Sequence, residues 1–314
     1  MKHLRLILYW GLSLAALWLA LCLVIGELAA VWSMHPARRA LTAGDEQLAQ
    51  SIALRNHALL GDIAVTAEDG VTLRGWSIRP SRGNGDAVIL LHGVGSNRAG
   101  MLGYADLLLR HGFAVLLPDA RALGESGGEL ATYGVKETED VRRWFDWLHR
   151  TESPRCIDAL GNSMGAGAVL ESLKTTPGFC AVAAESPYAS FREISYDRLA
   201  QRFDAPAWVG WTVLYPAVES GFLYARLKYG VDLDQDSPAD AVAASRVPVL
   251  LIHGKRDENI PPRQSERILA RSSGRADLVL WEPAEAGHCG AVGTEPKEYE
   301  RRVIGWFGSH DAQH

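Results

Sequence analysis

From residue 62 onward the chain alternates short apolar runs with longer mixed stretches, and few folds satisfy that rhythm. Ala87–Leu91 is unbroken apolar sequence, the mark of a strand buried on both faces. Similar runs recur at 114–117, 156–160, 181–184, 249–252 and 278–281. Helix-like stretches lie at 101–111, 135–149, after Ser163, at 263–270 and near 298–307. Ahead of them, 63–67 and 71–78 alternate about Glu68-Asp69-Gly70, a hairpin signal. Such alternation predicts an α/β fold with a mostly parallel central sheet flanked by helices. Sites on such sheets lie beyond the carboxyl ends of the strands. Of 314 residues, 47% are apolar and 22% charged, which excludes a disordered chain. The net charge is −5 with no long basic run, so nucleic acid is not an expected partner. Four cysteines without a CxxC pair exclude a disulfide scaffold or a zinc ribbon.

The N-terminus follows a different rule. Residues 6–26 carry no charge, between Arg5 and Glu27, and as a helix they reach about 31 Å, one bilayer core. Trp10, Trp18 and Trp32 lie near or beyond its ends, where amphipathic rings anchor. The run exceeds the ~7–15 residues of a cleaved signal core. Leu28-Ala29-Ala30 is a mediocre cleavage site, and the absence of a polar face excludes an ordinary core helix. Residues 1–34 are therefore expected to be a single-pass membrane anchor. Lys2 and Arg5 balance Arg38 and Arg39, so charge does not settle orientation. A lone N-terminal anchor ahead of a large domain often places that domain outside, and an extracytoplasmic domain is expected. Residues 35–61 read as a polar helical connector, with Pro36 near its start and Gly61 near its end. Residues 62–314 form the main domain.

Two stretches match GxSxG. Gly161-Asn162-Ser163-Met164-Gly165 has a strand-like run before it and Ala166-Gly167-Ala168-Val169-Leu170 after it, the strand–turn–helix that an exposed nucleophile requires. Flanking glycines leave room for a strained turn. Gly124-Glu125-Ser126-Gly127-Gly128 lies in loop-like sequence, so Ser163 is the candidate nucleophile. A serine needs a base and the base an orienting carboxylate. Of ten histidines, His288 lies in the small-residue loop 286–290 after the last strand. Asp257 follows the strand ending at Ile252, with Glu258 as the reserve acid. The order Ser, Asp, His is that of α/β-hydrolases. The oxyanion needs two backbone donors. Met164 N–H is one. Val94 N–H is the choice for the other, with Gly95 and Ser96 close by. Gly93-Val94-Gly95 lacks the third glycine of a dinucleotide loop, since Arg98 stands there. The histidines show no metal-ligand spacing, so no metal or cofactor is expected.

Five motifs together resemble the α/β-hydrolase family, in the branch of serine aminopeptidase-like and dienelactone hydrolase-like proteins. They are HGVGSNR at 92–98, PDARALGESGG at 118–128, GNSMGAG at 161–167, PVLLIHGKRDENIP at 248–261 and AGHCGA at 286–291. The resemblance covers about residues 62–308. It implies an α/β-hydrolase fold and a structural loop from Asp119, Arg121, Gly124 and Ser126. It also implies that the strands opened by Cys156 and Cys180 are parallel neighbours, which would allow a disulfide outside the cytoplasm. The plainer reading is two buried free thiols. Cys289, directly after the candidate base, departs from the motif and has no assigned role.

Residues 187–247 separate two strands by far more than the usual connection. This helical lid insert is rich in aromatics, including Trp208, Trp211 and Tyr215. They could form an acyl-binding wall, dip into the bilayer beside the anchor, or simply pack as a cap. The expected function is a membrane-tethered serine hydrolase acting on an ester or thioester with a small or lipid-like acyl group. A peptidase or amidase with the same triad is the first alternative. A non-catalytic membrane-bound interaction module is the second.

Overall fold

Eight strands form one sheet: β1 (Ala58–Thr66), β2 (Thr72–Pro80), β3 (Ala87–Leu91), β4 (Ala114–Pro118), β5 (Ile157–Asn162), β6 (Val182–Glu185), β7 (Val249–Ile252) and β8 (Leu278–Trp281). Their order is β1-β2-β4-β3-β5-β6-β7-β8. The β1/β2 and β2/β4 pairs are antiparallel and every later pair is parallel. This computed structural model of the protein describes residues 2–272 and 274–311. Residues 312–314, which the sequence pattern gives to the main domain, lie outside that range.

Twelve helices accompany the sheet among the described residues. They are α1 (Lys2–Met34), α2 (Ala43–Arg55), α3 (Leu102–Arg110), α4 (Glu137–Thr151), α5 (Met164–Ser172), α6 (Phe191–Arg202), α7 (Ala207–Trp211), α8 (Tyr215–Tyr229), α9 (Pro238–Ala244), α10 (Arg263–Arg271), α11 (Ala291–Thr294) and α12 (Pro296–Asp311). The chain divides into two units. Among the described residues, one comprises those of 35–190 and 236–311 and contains the whole sheet; the other comprises those of 2–34 and 191–235.

In the sheet unit, successive residues of β3 enter opposite cores, because side chains alternate across a strand. Val88 and Leu90 join the cluster with Ile52, Leu108 and Phe307, while Ala87, Ile89 and Leu91 join that with Trp144, Val169 and Ile268. Each valine, leucine and isoleucine of the strand contributes about 1.5–3 kcal/mol by leaving water. The hairpin starts earlier than the sequence suggests. Residues 58–61 are strand, not connector, because all of Ala58–Thr66 pairs with β2. The connector holds one helix, α2, whose start is set by a Thr42/Asp45 capping box.

Cys156 and Cys180 are joined by a disulfide, with Cα atoms 5.8 Å apart, in place of the two free thiols that were the plainer expectation. The cause is the β5/β6 register, which pairs Ala159 with Val182 and so brings the two strand entrances together. Cys22 and Cys289 are free. Under denaturing, non-reducing conditions two thiols should therefore react, rising to four after reduction. Four before reduction would remove the bridge. Cys156→Ser with Cys180→Ser should cost about 3 kcal/mol of unfolding free energy, read from urea melts.

In the other unit, α1 is long and apolar enough to cross a membrane. α6, α7 and α8 come from the insert. Arg192 of α6 grips Glu219 of α8 through two 2.6 Å hydrogen bonds, and the Tyr196 hydroxyl donates to the same carboxylate.

Candidate active site

Ser163 sits between β5 and α5 with φ 53° and ψ −116°. A non-glycine residue there costs about 1–3 kcal/mol and persists only where its surroundings over-determine it. Those surroundings are visible. Its N–H donates to Glu185 O (2.9 Å) at the end of β6, and its carbonyl starts the helix by accepting from Gly167 N–H (3.0 Å). A Cβ on Gly161 would strike the Gly165 carbonyl, and one on Gly165 the Leu91 carbonyl, so the turn is tight only because both are glycine.

His288 arrives from the loop after β8, and Asp257 from the loop after β7. Arg256 N–H donates to Ala286 O (3.0 Å), tying the two loops together. His288 Nε2 lies 3.0 Å from Ser163 Oγ, and His288 Nδ1 lies 2.8 Å from Asp257 Oδ2. Asp257 Oδ1 accepts from Asn259 N–H (3.0 Å) and Ile260 N–H (2.9 Å). Burial alone would raise the Asp257 pKa. Hydrogen bonds from His253 and His288, with the backbone donor, outweigh it and hold the carboxyl well below the usual carboxylate range. Ser163, Asp257 and His288, distant in sequence, are thus brought into one chain of hydrogen bonds.

Of the two nominated backbone donors, Met164 follows the serine directly and Val94 belongs to a turn beside it. Met164 opens α5, so its N–H is one of those a helix leaves without an intrahelical acceptor. Val94 lies in the 93–96 turn closed by Ser96 N–H to Gly93 O (3.3 Å). A Cβ at Gly93 would come within 3.3 Å of Ser163 Cβ, so this turn runs directly beside the serine. His92 pins it from beneath. Its Nε2 accepts from Ala120 N–H (3.1 Å), which makes Nδ1 the donor to Gly93 O (2.8 Å). Burial lowers the His92 pKa, in keeping with this neutral form.

Ser126 is buried, and its hydroxyl is engaged by the backbone, donating to Asp119 O (2.7 Å) and accepting from Arg74 N–H (2.9 Å). Asp119 binds Arg98 and Arg121 binds Asp140, so this loop is held by buried ion pairs. Trp208, Trp211 and Tyr215 belong to the helical unit. Trp211 and Tyr215 stack on Tyr196 with ring centroids 4.4 and 5.7 Å away, while Trp208 is 62% exposed. Among the described residues no group of three or more His, Cys, Asp or Glu could hold a metal ion.

One residue of the site has no counterpart in the sequence motifs. Glu185 ends β6, fully buried, and its carbonyl receives Ser163 N–H. Its carboxylate accepts from Ala291 N–H (3.0 Å), just past the His288 loop, and from the hydroxyls of Tyr104 (3.0 Å) and Tyr299 (3.2 Å). Burial raises its pKa, with those three donors acting the other way. A charge closing an otherwise apolar strand was the available signal. Burial also pushes the Cys289 thiol up, so it stays protonated and a poor nucleophile.

The sheet order, the strained serine between β5 and α5, and the Ser–Asp–His succession define an α/β-hydrolase. The model of the alpha/beta hydrolase family matches residues 88–302, and the chain belongs to that family. It is 29% identical to the uncharacterized protein YqkD of Bacillus subtilis over 219 residues, 69% of each chain. It is 26% identical to the uncharacterized protein YfhR of Escherichia coli, covering 69% of this chain and 70% of YfhR. Among solved structures, the Pyrococcus furiosus esterase Pf2001 superposes with a TM-score of 0.69 at 26% identity, covering 88% of this chain and 99% of the esterase. Fold and family support a hydrolase.

Proposed function

We propose that the protein is a membrane-tethered serine hydrolase that cleaves carboxylic esters or thioesters. The observation that carries this reading is the 3.0 Å approach of His288 Nε2 to Ser163 Oγ, with Asp257 bound to Nδ1 on the far side. Ser163 Oγ attacks the acyl carbonyl while His288 Nε2 takes its proton. Asp257 orients the imidazole and balances its positive charge. The N–H groups of Val94 and Met164 receive the oxyanion, each worth ~3 kcal/mol by the usual cost of removing such a donor. The bond to the leaving alcohol or thiol then breaks, and His288 returns the proton to it. Water, deprotonated by the same nitrogen, attacks the acyl-enzyme. Its proton restores Ser163, and the carboxylic acid departs. The esterase name of Pf2001 supports the substrate class.

α1 supports the membrane tether, and the Cys156–Cys180 bridge favours an extracytoplasmic sheet unit, because such bonds persist in oxidising compartments. Full-length protein in detergent should hydrolyse a p-nitrophenyl ester series from acetate to palmitate, with rates on matched anilides far lower. Comparable anilide rates would transfer the reading to a peptidase or amidase. No turnover of either by folded protein would refute the hydrolase mechanism.

A further inference from the structure

The exposed apolar surface of the insert continues the apolar surface of α1. Cys22, Gly26, Ala30 and Met34 are the buried positions of α1, one turn apart, and α8 buries Ala217, Gly221 and Ala225 at the same interval. The two backbones touch. A Cβ on Gly221 would come within 2.9 Å of the Gly26 carbonyl, and Ser220 Oγ donates to Cys22 O (3.3 Å). Further along, the Tyr224 hydroxyl pairs with Glu27. Partners thus rise together in number, from Cys22 with Ser220 to Glu27 with Tyr224, so α8 runs parallel to α1. Small residues at this spacing are what allow helices to approach so closely in lipid.

This register assigns depth. With Gly221 opposite Gly26, Tyr215 stands level with residue 20 of α1, about 9 Å along the axis inside the last residue of the uncharged run. Tyr215 is exposed there, and Val213 and Trp208, which precede it in the chain, are exposed as well. Leu223 and Leu227 (77% exposed) stand level with residues 28 and 32, at the boundary, and the exposed Arg226 and Lys228 fall at or beyond it. The exposed α8 side chains ahead of Arg226, Tyr215 and Leu223, are aromatic or apolar, and both cations of the helix fall in its last turn around Leu227, the arrangement of an interfacial helix on an anionic membrane.

We infer that the α7–α8 corner is a second membrane contact, seated at the headgroup–acyl boundary of the leaflet from which α1 emerges. The inference rests on α1 being the tether. Its test is nitroxide accessibility in full-length protein carrying Cys22→Ala and Cys289→Ala, reconstituted in phosphatidylcholine–phosphatidylglycerol vesicles. Labels are placed singly at Val213→Cys, Leu227→Cys, Leu12→Cys within the span, and Leu59→Cys on β1. Relative to the Leu59 label, those at Leu12 and Val213 should favour oxygen over a water-soluble nickel chelate several-fold, and that at Leu227 by less. A lipid-exposed Leu12 label with water-like values at both Val213 and Leu227 overturns the inference and leaves the tether standing. A water-like Leu12 label overturns both. Dipolar broadening at Val213 with neither quencher reaching it means a second copy covers the corner, and also overturns the inference. Two insert positions are used because either variant alone could fail to fold.

Discussion

Ser163→Ala is expected to lower kcat on p-nitrophenyl esters by about ten-thousand-fold or more, with the protein still folded. The size follows from the removal of the one atom that, in the proposed mechanism, forms the acyl bond. Retention of the fold follows from what the substitution leaves in place. Alanine keeps the Cβ, so the positive φ costs the same, and the N–H still donates to Glu185 O. Full-length protein purified beside the wild type, with matched melting temperature and circular dichroism, is the comparison to make. A variant that keeps more than a tenth of wild-type turnover would move the nucleophile elsewhere.

Asp257→Asn should cost about ten-thousand-fold in kcat with little change in KM. The loss follows from which ring nitrogen carries the proton. Oδ1 of Asp257 accepts two backbone N–H groups, so the amide oxygen of asparagine must take that place. Its NH2 group then faces His288 Nδ1, which can only accept. The ring proton is driven to Nε2, the atom that should receive the serine proton, and the base is blocked. Asp257 titrates below the usual carboxylate range. The stability it contributes is therefore complete above the unfolded value of about 3.9 and is lost as pH falls through its lower folded value. An acid limb of kcat/KM above about pH 5 in the wild type would belong to another group. Wild-type activity in the variant would remove Asp257 from the mechanism.

The sheet was legible because both its faces are covered. Ala87–Leu91 and Val249–Ile252 are apolar without interruption, and their limits in the structure are those of the sequence. Ser163 was separable from Ser126 for a related reason: one follows a buried strand and opens a helix, the other lies in a polar loop whose hydroxyl binds backbone. The edge was harder. β1 alternates weakly, and Gly61 in its first half reads as a helix stop, so only its later part was read as strand. Glu185 was missed because its carboxylate is satisfied by tyrosines 81 and 114 residues away, which no local pattern encodes. The disulfide was undecided in sequence because its geometry depends on strand register. The grouping of residues 1–34 with 191–235 had no sequence signal at all beyond small residues four apart in both.

That grouping changes what the first helix is. A tether can be cut away and leave a working machine, and a chain beginning near residue 36 looks like the obvious soluble enzyme. Such a chain would strip Ala217, Gly221 and Ala225 of the neighbour that covers them and turn a helical joint into a bare, adhesive stripe. Poor behaviour of the shortened protein would then report a broken joint and say nothing about the chemistry at Ser163. Helix α1 is a structural member of the insert, whatever else the proposed tether does, and the protein is best handled as one piece.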